Sequence, residues 1–299
     1  MYAGPPRYVA GLPRPDRCLV MGVLNVTPDS FSDGGRFLDP DLAVKHGRLL
    51  AAEGADLVDV GGESTRPGAV RPSVAEEKDR VLPVIEALAA EGVRVSVDTM
   101  RSEVAEAAVG AGAVLVNDVS GGRADESMFD TVARLGTSYV LMHWRAHSRE
   151  MLEHAEYDDV VGEVIVELAE QLDRALAAGI DPTRIALDPG IGFSKTADQN
   201  WALLTEMERF HVLGQPLLIA ASRKRFLGRL LAEPDGTLRP PLERDDATTA
   251  SSALAAAAGA WCVRTHSVRA TYDAVRVARR WAGPSDVAAD GPTDVAADG

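Results

Sequence analysis

The apolar residues of this chain fall into two alternating patterns. Short runs rich in Val, Leu and Ile are typical of strands that are buried on both faces of a parallel sheet. These runs occupy residues 18–24, 57–60, 93–97, 114–119, 139–142, 184–187, 216–220 and 261–265. Stretches with apolar residues at every third or fourth position lie between them and predict amphipathic helices. The clearest of these are residues 41–53, 75–90, 160–178, 200–213, 246–258 and 268–281.

Glycines follow several predicted helices, at the position where a left-handed residue often ends a helix. They are Gly54, Gly92, Gly112, Gly136, Gly179 and Gly214. Repeated strand–helix pairs fit a closed (β/α)8 barrel better than an open dinucleotide-binding sheet, whose first strand would precede a G-x-G-x-x-G segment. That segment does not follow the first run. We therefore predict the α/β class and a single TIM barrel with its active site at the carboxyl ends of the strands.

The two ends of the chain lack these patterns. Residues 1–17 are interrupted repeatedly by Gly and Pro, so we predict a flexible N-terminal segment there and the barrel over residues 18–282. Residues 283–299 contain GPSDVAAD followed by GPTDVAAD, with little apolar surface to bury. This composition predicts a disordered acidic tail.

Composition and charge narrow the possible partners. The 299 residues are 46% hydrophobic and 25% charged, which is ordinary for a globular protein, and the formal net charge is -14. Nucleic-acid binding needs clustered Lys and Arg to neutralise phosphates, so we expect no nucleic-acid partner. No segment has the pattern of a secretory signal or a membrane-spanning helix. We therefore expect a cytoplasmic protein without a membrane anchor.

Polar side chains follow nearly every predicted strand, at the end where TIM barrels carry their active sites. They are Asn25, Glu63, Asp98, Asn117, Asp118, His143, Asp188, Ser222, Lys224, Arg264 and His266. Any one of them could simply start the next helix, and we assign Asp59, Asp118 and Ser102 to that structural class. A ring of buried carboxylates and amides is costly unless a ligand or water satisfies it. The convergence therefore predicts a polar binding site in the barrel mouth.

Arg264 and His266 are separated by one residue on the last strand, so their side chains face the same side. The planar guanidinium matches phosphate oxygens, and the imidazole can donate to the same group. The pair predicts either an anion site or, for the histidine, an ordinary structural contact. Residues 25–35 and 63–68 are rich in turn-forming residues and predict two mobile loops that close over a substrate.

Eight segments resemble those of the dihydropteroate synthase family, in the same order and spacing, over residues 18–282. The segments are MGVLNVTPDSFSDGG, GADLVDVGGESTRPGA, VSVDTMR, VNDVSGG, LMHWR, LDPGIGFSKT, ASRKRFLG and VRTH. The resemblance implies a transferase of folate biosynthesis. Its members join 4-aminobenzoate to 6-hydroxymethyl-7,8-dihydropterin diphosphate, giving 7,8-dihydropteroate and pyrophosphate with Mg²⁺ assisting. The resemblance also implies a homodimer and binding of sulfonamides, which imitate aminobenzoate.

The resemblance further implies roles for individual residues. The pterin ring would be bound by Asp98, Asn117, Asp188 and Lys224, with Met142 and Phe193 as apolar walls. The diphosphate would be held by Asn25, Arg264 and His266, and Asn25 would also be a Mg²⁺ ligand. The residues near the aminobenzoate and the closing loops would be Thr65, Arg66 and Ser222.

One departure from the family pattern lies directly after the last strand. The final family segment reads Arg-x-His-Asp, whereas this chain has Arg264-Thr265-His266-Ser267. A carboxylate that could orient His266 or cap the following helix is replaced by a hydroxyl, which is also able to cap.

Two alternative hypotheses compete with the synthase hypothesis. A non-catalytic pterin-binding paralogue would have lost part of the site, whereas all its predicted pterin and diphosphate residues are present. A folate-binding methyltransferase barrel resembles the same fold and pocket. It needs neither the Ser-Arg-Lys segment nor an Arg-x-His clamp, and we find no corrinoid-binding module. Cobalamin-dependent methyl transfer would support this second alternative.

Overall fold

The computed structural model describes residues 8–27, 40–63, 71–146 and 155–283. Most of the two predicted mobile loops lies outside these residues, as does the acidic tail beyond Gly283. None of the helices in the described part of the chain combines the length and apolar character of a membrane span.

The strands of the described residues form one parallel sheet that closes on itself. They are β1 (Leu19–Asn25), β2 (Leu57–Gly61), β3 (Val95–Asp98), β4 (Leu115–Asp118), β5 (Ser138–Met142), β6 (Ile185–Asp188), β7 (Leu218–Ile219) and β8 (Cys262–Thr265). Their order is β6-β5-β4-β3-β2-β1-β8-β7. A parallel bridge between Leu187 and Leu217 joins the two outer members of this order. The predicted TIM barrel is therefore confirmed.

Helices connect the strands and cover the outside of the barrel. They are α1 (Pro40–Ala52), α2 (Val74–Ala90), α3 (Ser102–Gly110), α4 (Met128–Leu135), α5 (Val160–Ala177), α6 (Ala197–Thr205), α7 (Arg225–Leu230), α8 (Asp245–Ala257) and α9 (Val268–Trp281). The six glycines predicted to end helices all have positive φ angles, between 61° and 112°.

The helix predicted over residues 200–213 instead divides into α6 and a 3-10 helix, Met207–Leu213. Met207 and Phe210, three residues apart, are its buried residues, as suits three residues per turn.

Apolar side chains form two main layers. The larger layer lies between the sheet and the helices, where Val58, Val60 and Ile85 are fully buried. The smaller layer includes Leu19 and Met21, together with apolar residues from six other strands. A packed core of this kind is usual for TIM barrels, which are filled rather than hollow.

The prediction of a flexible segment over residues 1–17 is wrong for residues 8–17. Val9 is fully buried, Leu12 is 6% exposed, and both belong to the smaller apolar layer. The Ala10 amide donates to the Thr183 carbonyl over 2.8 Å, and the Ser138 hydroxyl donates to the Ala10 carbonyl over 2.8 Å. Gly and Pro break regular secondary structure here, but the apolar side chains between them still bury.

We expect Leu12→Ala to lower the free energy of unfolding by about 2–5 kcal/mol, because it removes buried methyl groups and leaves a cavity. Urea unfolding at equilibrium measures this change. Leu42→Ala is the matched control, since Leu42 is 46% exposed on α1. Equal stabilities of the two variants would contradict the proposed packing of the N-terminal segment.

Candidate active site

The ends of four adjacent strands lie in one row across the barrel. Asn25 of β1 pairs with Gly61 of β2, Gly61 pairs with Asp98 of β3, and Asp98 pairs with Asn117 of β4. A β-carbon added to Gly61 would lie 3.4 Å from that of Asp98, so the glycine backbone lies directly beside the Asp98 side chain. Three of the predicted site residues are thus neighbours at the mouth.

A buried ion-pair network lies below this row. Arg264 donates from Nε to Asp59 over 2.6 Å and from Nη2 to Asp98 over 2.7 Å. The side-chain amide of Asn117, Nδ2, also donates to Asp59, over 2.9 Å. Asp59, to which we assigned a structural role from the sequence, therefore directly contacts two predicted site residues, Asn117 and Arg264. Strand alternation places Asp59 inside the barrel, and its buried Oδ1 has no hydrogen-bond partner among the residues that the structure describes.

Two carboxylates share the single guanidinium of Arg264. Burial raises the pKa of Asp98 to about 7, although the positive charge of Arg264 opposes this and Asp59 adds to it. Burial would lower the pKa of Arg264, but Asp59 and Asp98 raise it above its ordinary value. The guanidinium therefore stays charged, and Asp98 is able to bind or release a proton near neutral pH.

The second half of the predicted pterin site lies at the end of β6. Asp188 is buried, and its Oδ1 accepts the Gly190 amide over 2.7 Å. Burial raises its pKa to about 6 and lowers that of Lys224 to about 8, while their opposite charges counteract both shifts. The Lys224 ammonium lies 4.0 Å from the centre of the Phe193 ring. Phe193 packs in turn against a small apolar cluster that includes Met142.

His266 and Ser222 form a hydrogen-bonded pair. The His266 amide donates to the Ser222 hydroxyl over 3.1 Å, and this oxygen lies 2.9 Å from His266 Nδ1. Burial, followed by the charges of Arg223 and Arg264, lowers the pKa of His266 to about 3. If the hydroxyl donates to Nδ1, the neutral ring carries its proton on Nε2. Ser222 thus lies with the predicted diphosphate residues, and its predicted contact with aminobenzoate stays a prediction.

Arg223 holds the loop between Ser222 and Lys224 in a strained conformation. Its φ angle is 57°, which is unfavourable for a residue with a β-carbon. Its guanidinium makes paired hydrogen bonds of 2.7 and 2.8 Å to Asp245, and its amide donates to Thr248 over 3.0 Å. These contacts fix the backbone that presents the two site residues.

Other sequence predictions have mixed outcomes. Thr65 and Arg66 lie outside the described residues. Asn25 is half-buried at the end of β1. Ser267 stands at the start of α9, and among the described residues its side chain makes no capping hydrogen bond, although a hydroxyl is able to cap. Its backbone amide donates to the Thr265 hydroxyl over 3.1 Å.

Asp118 and Ser102 have the structural roles predicted for them. Asp118 accepts hydrogen bonds from the Ser120 and Gly122 amides and from the Tyr139 hydroxyl. The Ser102 amide and hydroxyl both donate to Asp125 over 2.7 Å.

Ser194 has a strained backbone beside the predicted pterin site. Its φ angle is 47°, and its buried hydroxyl has no hydrogen-bond partner in the described part of the chain. We expect Ser194→Gly to raise the free energy of unfolding by about 1 kcal/mol, because relief of the left-handed strain exceeds the added entropy of the unfolded chain. Urea unfolding checks this result. The control is Ser127→Gly, at an exposed residue with a φ of -82°, which should be slightly destabilising.

Comparisons with known proteins agree with this geometry. The sequence model of the family described as "Pterin binding enzyme" matches residues 21–266. The dihydropteroate synthase of Mycobacterium leprae is 56% identical over 268 residues, which are 89% of this chain and 94% of that protein.

Solved structures show the same similarity. Those of Xanthomonas albilineans dihydropteroate synthase with 4-aminobenzoic acid and with 7,8-dihydropteroate are 45% and 44% identical, with TM-scores of 0.83 and 0.80. Each match covers 90% of this chain and 95% of the solved one. The Yersinia pestis enzyme in a sulfonamide drug complex is 38% identical, with a TM-score of 0.84 over 92% of this chain and 98% of that one. The predicted transferase class is confirmed, and the chain belongs to the dihydropteroate synthase family of pterin-binding enzymes.

Proposed function

We propose that this enzyme joins 4-aminobenzoate to 6-hydroxymethyl-7,8-dihydropterin diphosphate, releasing pyrophosphate and forming 7,8-dihydropteroate. The observation that carries the proposal is the pairing of two buried carboxylates, Asp98 and Asp188, with the cationic Lys224 and Arg264 in one barrel mouth. Relatives solved with 4-aminobenzoic acid and with 7,8-dihydropteroate support the same substrate classes.

The pterin ring fits the lower part of the mouth. Its amidine-like edge presents two donors that a carboxylate such as Asp188 accepts together, while Asn117 and Lys224 suit its carbonyl oxygen and ring nitrogens. Met142 and Phe193 supply apolar surfaces for the ring faces. Arg264 donates to Oδ2 of Asp98. A pterin bound at Asp98 would share this carboxylate with the guanidinium, because a carboxylate accepts several hydrogen bonds.

The diphosphate would be held by Arg264 and His266, whose side chains donate to phosphate oxygens. Asn25 suits Mg²⁺, because its carboxamide oxygen is a hard ligand and a magnesium ion completes its shell with water and phosphate oxygens. When bound, the ion would neutralise charge on the leaving diphosphate.

The chemistry requires little covalent participation by the protein. The bond between the pterin methylene and the diphosphate oxygen breaks, and its electron pair leaves with the diphosphate. Asp98 and Asp188 favour the positive charge on the pterin, while Arg264 and His266 favour the negative charge on the leaving group. The amine lone pair then forms the new C–N bond, and the nitrogen loses a proton to solvent.

Aminobenzoate would lie near Ser222, with Thr65 and Arg66 approaching from the loop after β2. Sulfonamides imitate aminobenzoate, and the Yersinia pestis enzyme solved in a sulfonamide drug complex supports sulfonamide binding by this enzyme. We place the enzyme in the cytoplasm, the compartment expected from its sequence.

We propose a homodimer that forms through α7, the 3-10 helix Pro241–Arg244 and α8. Large apolar side chains on these neighbouring elements are exposed, namely Leu230 (63%), Leu242 (73%) and Leu254 (72%). Burial of such side chains is favourable at a subunit interface. Sedimentation velocity of the full chain and of Leu254→Arg tests this, and a wild-type monomer at micromolar concentration would exclude it.

Pyrophosphate release tests the proposed reaction. Release should require both substrates and Mg²⁺, and 7,8-dihydropteroate should appear in equal amount. Pterin binding without turnover would instead support the non-catalytic alternative.

A further inference from the structure

Lys195 is a buried lysine that the proposed reaction does not use. It is 5% exposed, and its ammonium has three hydrogen-bond acceptors. The Gly190 carbonyl lies at 3.2 Å, the Phe193 carbonyl at 3.0 Å and His143 Nδ1 at 3.0 Å. An ammonium has three protons, so this arrangement uses each of them.

The two carbonyls belong to the turn 190–193 that follows β6. The Gly190 amide donates to the Asp188 carboxylate over 2.7 Å, and the Phe193 ring packs on the Lys224 ammonium. Gly190 and Gly192 have φ angles of 72° and 81°, so the turn departs from regular backbone geometry. A shift of either carbonyl would therefore move groups that form the proposed pterin pocket.

His143 connects Lys195 to the outside of the barrel. Burial and the charge of Lys195 lower the pKa of His143 to about 3, so the ring is neutral. Its Nδ1 accepts from Lys195, and its Nε2 proton is directed to Glu167 over 3.0 Å. Glu167 in turn is paired with Arg145. This chain of contacts fixes the ring in one tautomer and holds the lysine against the turn.

Opposing effects act on the charge of Lys195. Burial lowers its pKa to about 7, while the carboxylates of Asp188 and Glu167 favour the ammonium form. The Asn200 carboxamide also accepts the Gly192 amide over 2.6 Å and donates to the Lys195 carbonyl over 3.4 Å. Lys195 and Asn200 thus hold the same turn from its carbonyl and amide sides.

We propose that Lys195 is a positioning residue for pterin recognition, whose ammonium holds the turn 190–193 so that Asp188 and the Phe193 ring bind the pterin. This inference rests on the proposed pterin pocket. It assigns Lys195 no contact with aminobenzoate or with the diphosphate.

Fluorescence titration with 6-hydroxymethylpterin tests the proposal on the full-length Lys195→Met variant. We expect the Kd for 6-hydroxymethylpterin and the KM for pterin diphosphate to rise about tenfold, because the charged donors are lost. The KM for 4-aminobenzoate should stay within about twofold of wild type. The control is Lys45→Met, at an exposed lysine of α1. Circular dichroism establishes that each variant is folded. Should Lys195→Met not fold, Lys195→Gln takes its place, because its shorter amide cannot make all three bonds.

Three results would overturn the proposal. One is a wild-type Kd in a folded Lys195 variant. Another is an equal rise of both KM values, which would indicate a general structural role. The third separates this inference from the pocket itself: if Asp188→Asn also leaves the Kd unchanged, the proposed pterin site is wrong. If Asp188→Asn weakens pterin binding but a folded Lys195 variant does not, only the proposed role of Lys195 is refuted.

Discussion

Asp188→Asn should reduce kcat/KM about a thousandfold while leaving the barrel folded. An amide cannot accept both donors of the pterin edge, and it carries no negative charge to stabilise the positive charge that develops on the substrate. The Gly190 amide would still find an oxygen acceptor at residue 188, so the turn after β6 should survive. Steady-state kinetics with both substrates measure kcat/KM, and thermal unfolding shows whether the barrel remains folded.

The same substitution at Asp181 is the matched control. Asp181 lies just before β6, at the opposite end of that strand, and its exposed side chain accepts the Thr183 amide over 2.8 Å. Asp181→Asn should therefore keep wild-type kinetics. Unchanged kcat/KM in Asp188→Asn would remove that carboxylate from the site.

Arg264→Ala should impair both stability and substrate binding. The substitution leaves the buried carboxylates of Asp59 and Asp98 without their shared cation, which should cost about 3–5 kcal/mol at pH 8. The KM for pterin diphosphate should rise about a hundredfold, because a charged donor to the leaving group is lost. Urea unfolding and initial-rate kinetics measure these effects. Arg269→Ala is the control, since Arg269 is exposed on α9.

The stability loss in Arg264→Ala should be smaller at pH 5 than at pH 8. Arg264 lowers the raised pKa of Asp98, so its removal raises that pKa further above 7. As the pH falls through this range, Asp98 takes up a proton and no longer needs a positive partner. A stability loss that does not change with pH, or a normal KM for pterin diphosphate, would contradict the assigned role of Arg264.

The barrel, and the polar residues that end its strands, could be predicted from sequence because both depend on local patterns, whereas the roles proposed for those residues come from the family resemblance. Buried strands and glycine-ended helices have characteristic residues, and polar groups such as Asp98 and Asp188 directly end their strands. The packing of Val9 and Leu12 could not be predicted in this way. It depends on contacts with residues far along the chain, and a short apolar pair among prolines has no periodic signal.

The roles of Asp59 and Lys195 were harder to predict for related reasons. Asp59 is a single charge inside an apolar strand, and its importance becomes clear only when the register places it beside Asn117 and Arg264. Lys195 follows a glycine-rich turn and resembles an ordinary loop lysine. Lys195 is buried because His143 and Asn200 pack around it. The residues next to it in the sequence do not indicate this burial.

The contacts of the N-terminal segment have a consequence for synthesis on the ribosome. The Ala10 backbone hydrogen-bonds to Ser138 and Thr183, and β1 pairs with β8, so these N-terminal residues find their partners only after much more of the chain has been made. Until Cys262–Thr265 has emerged, β1 keeps one unpaired edge, and such edges favour association with other chains. Nascent chains that have not yet reached β8 should therefore be prone to association and should need chaperones.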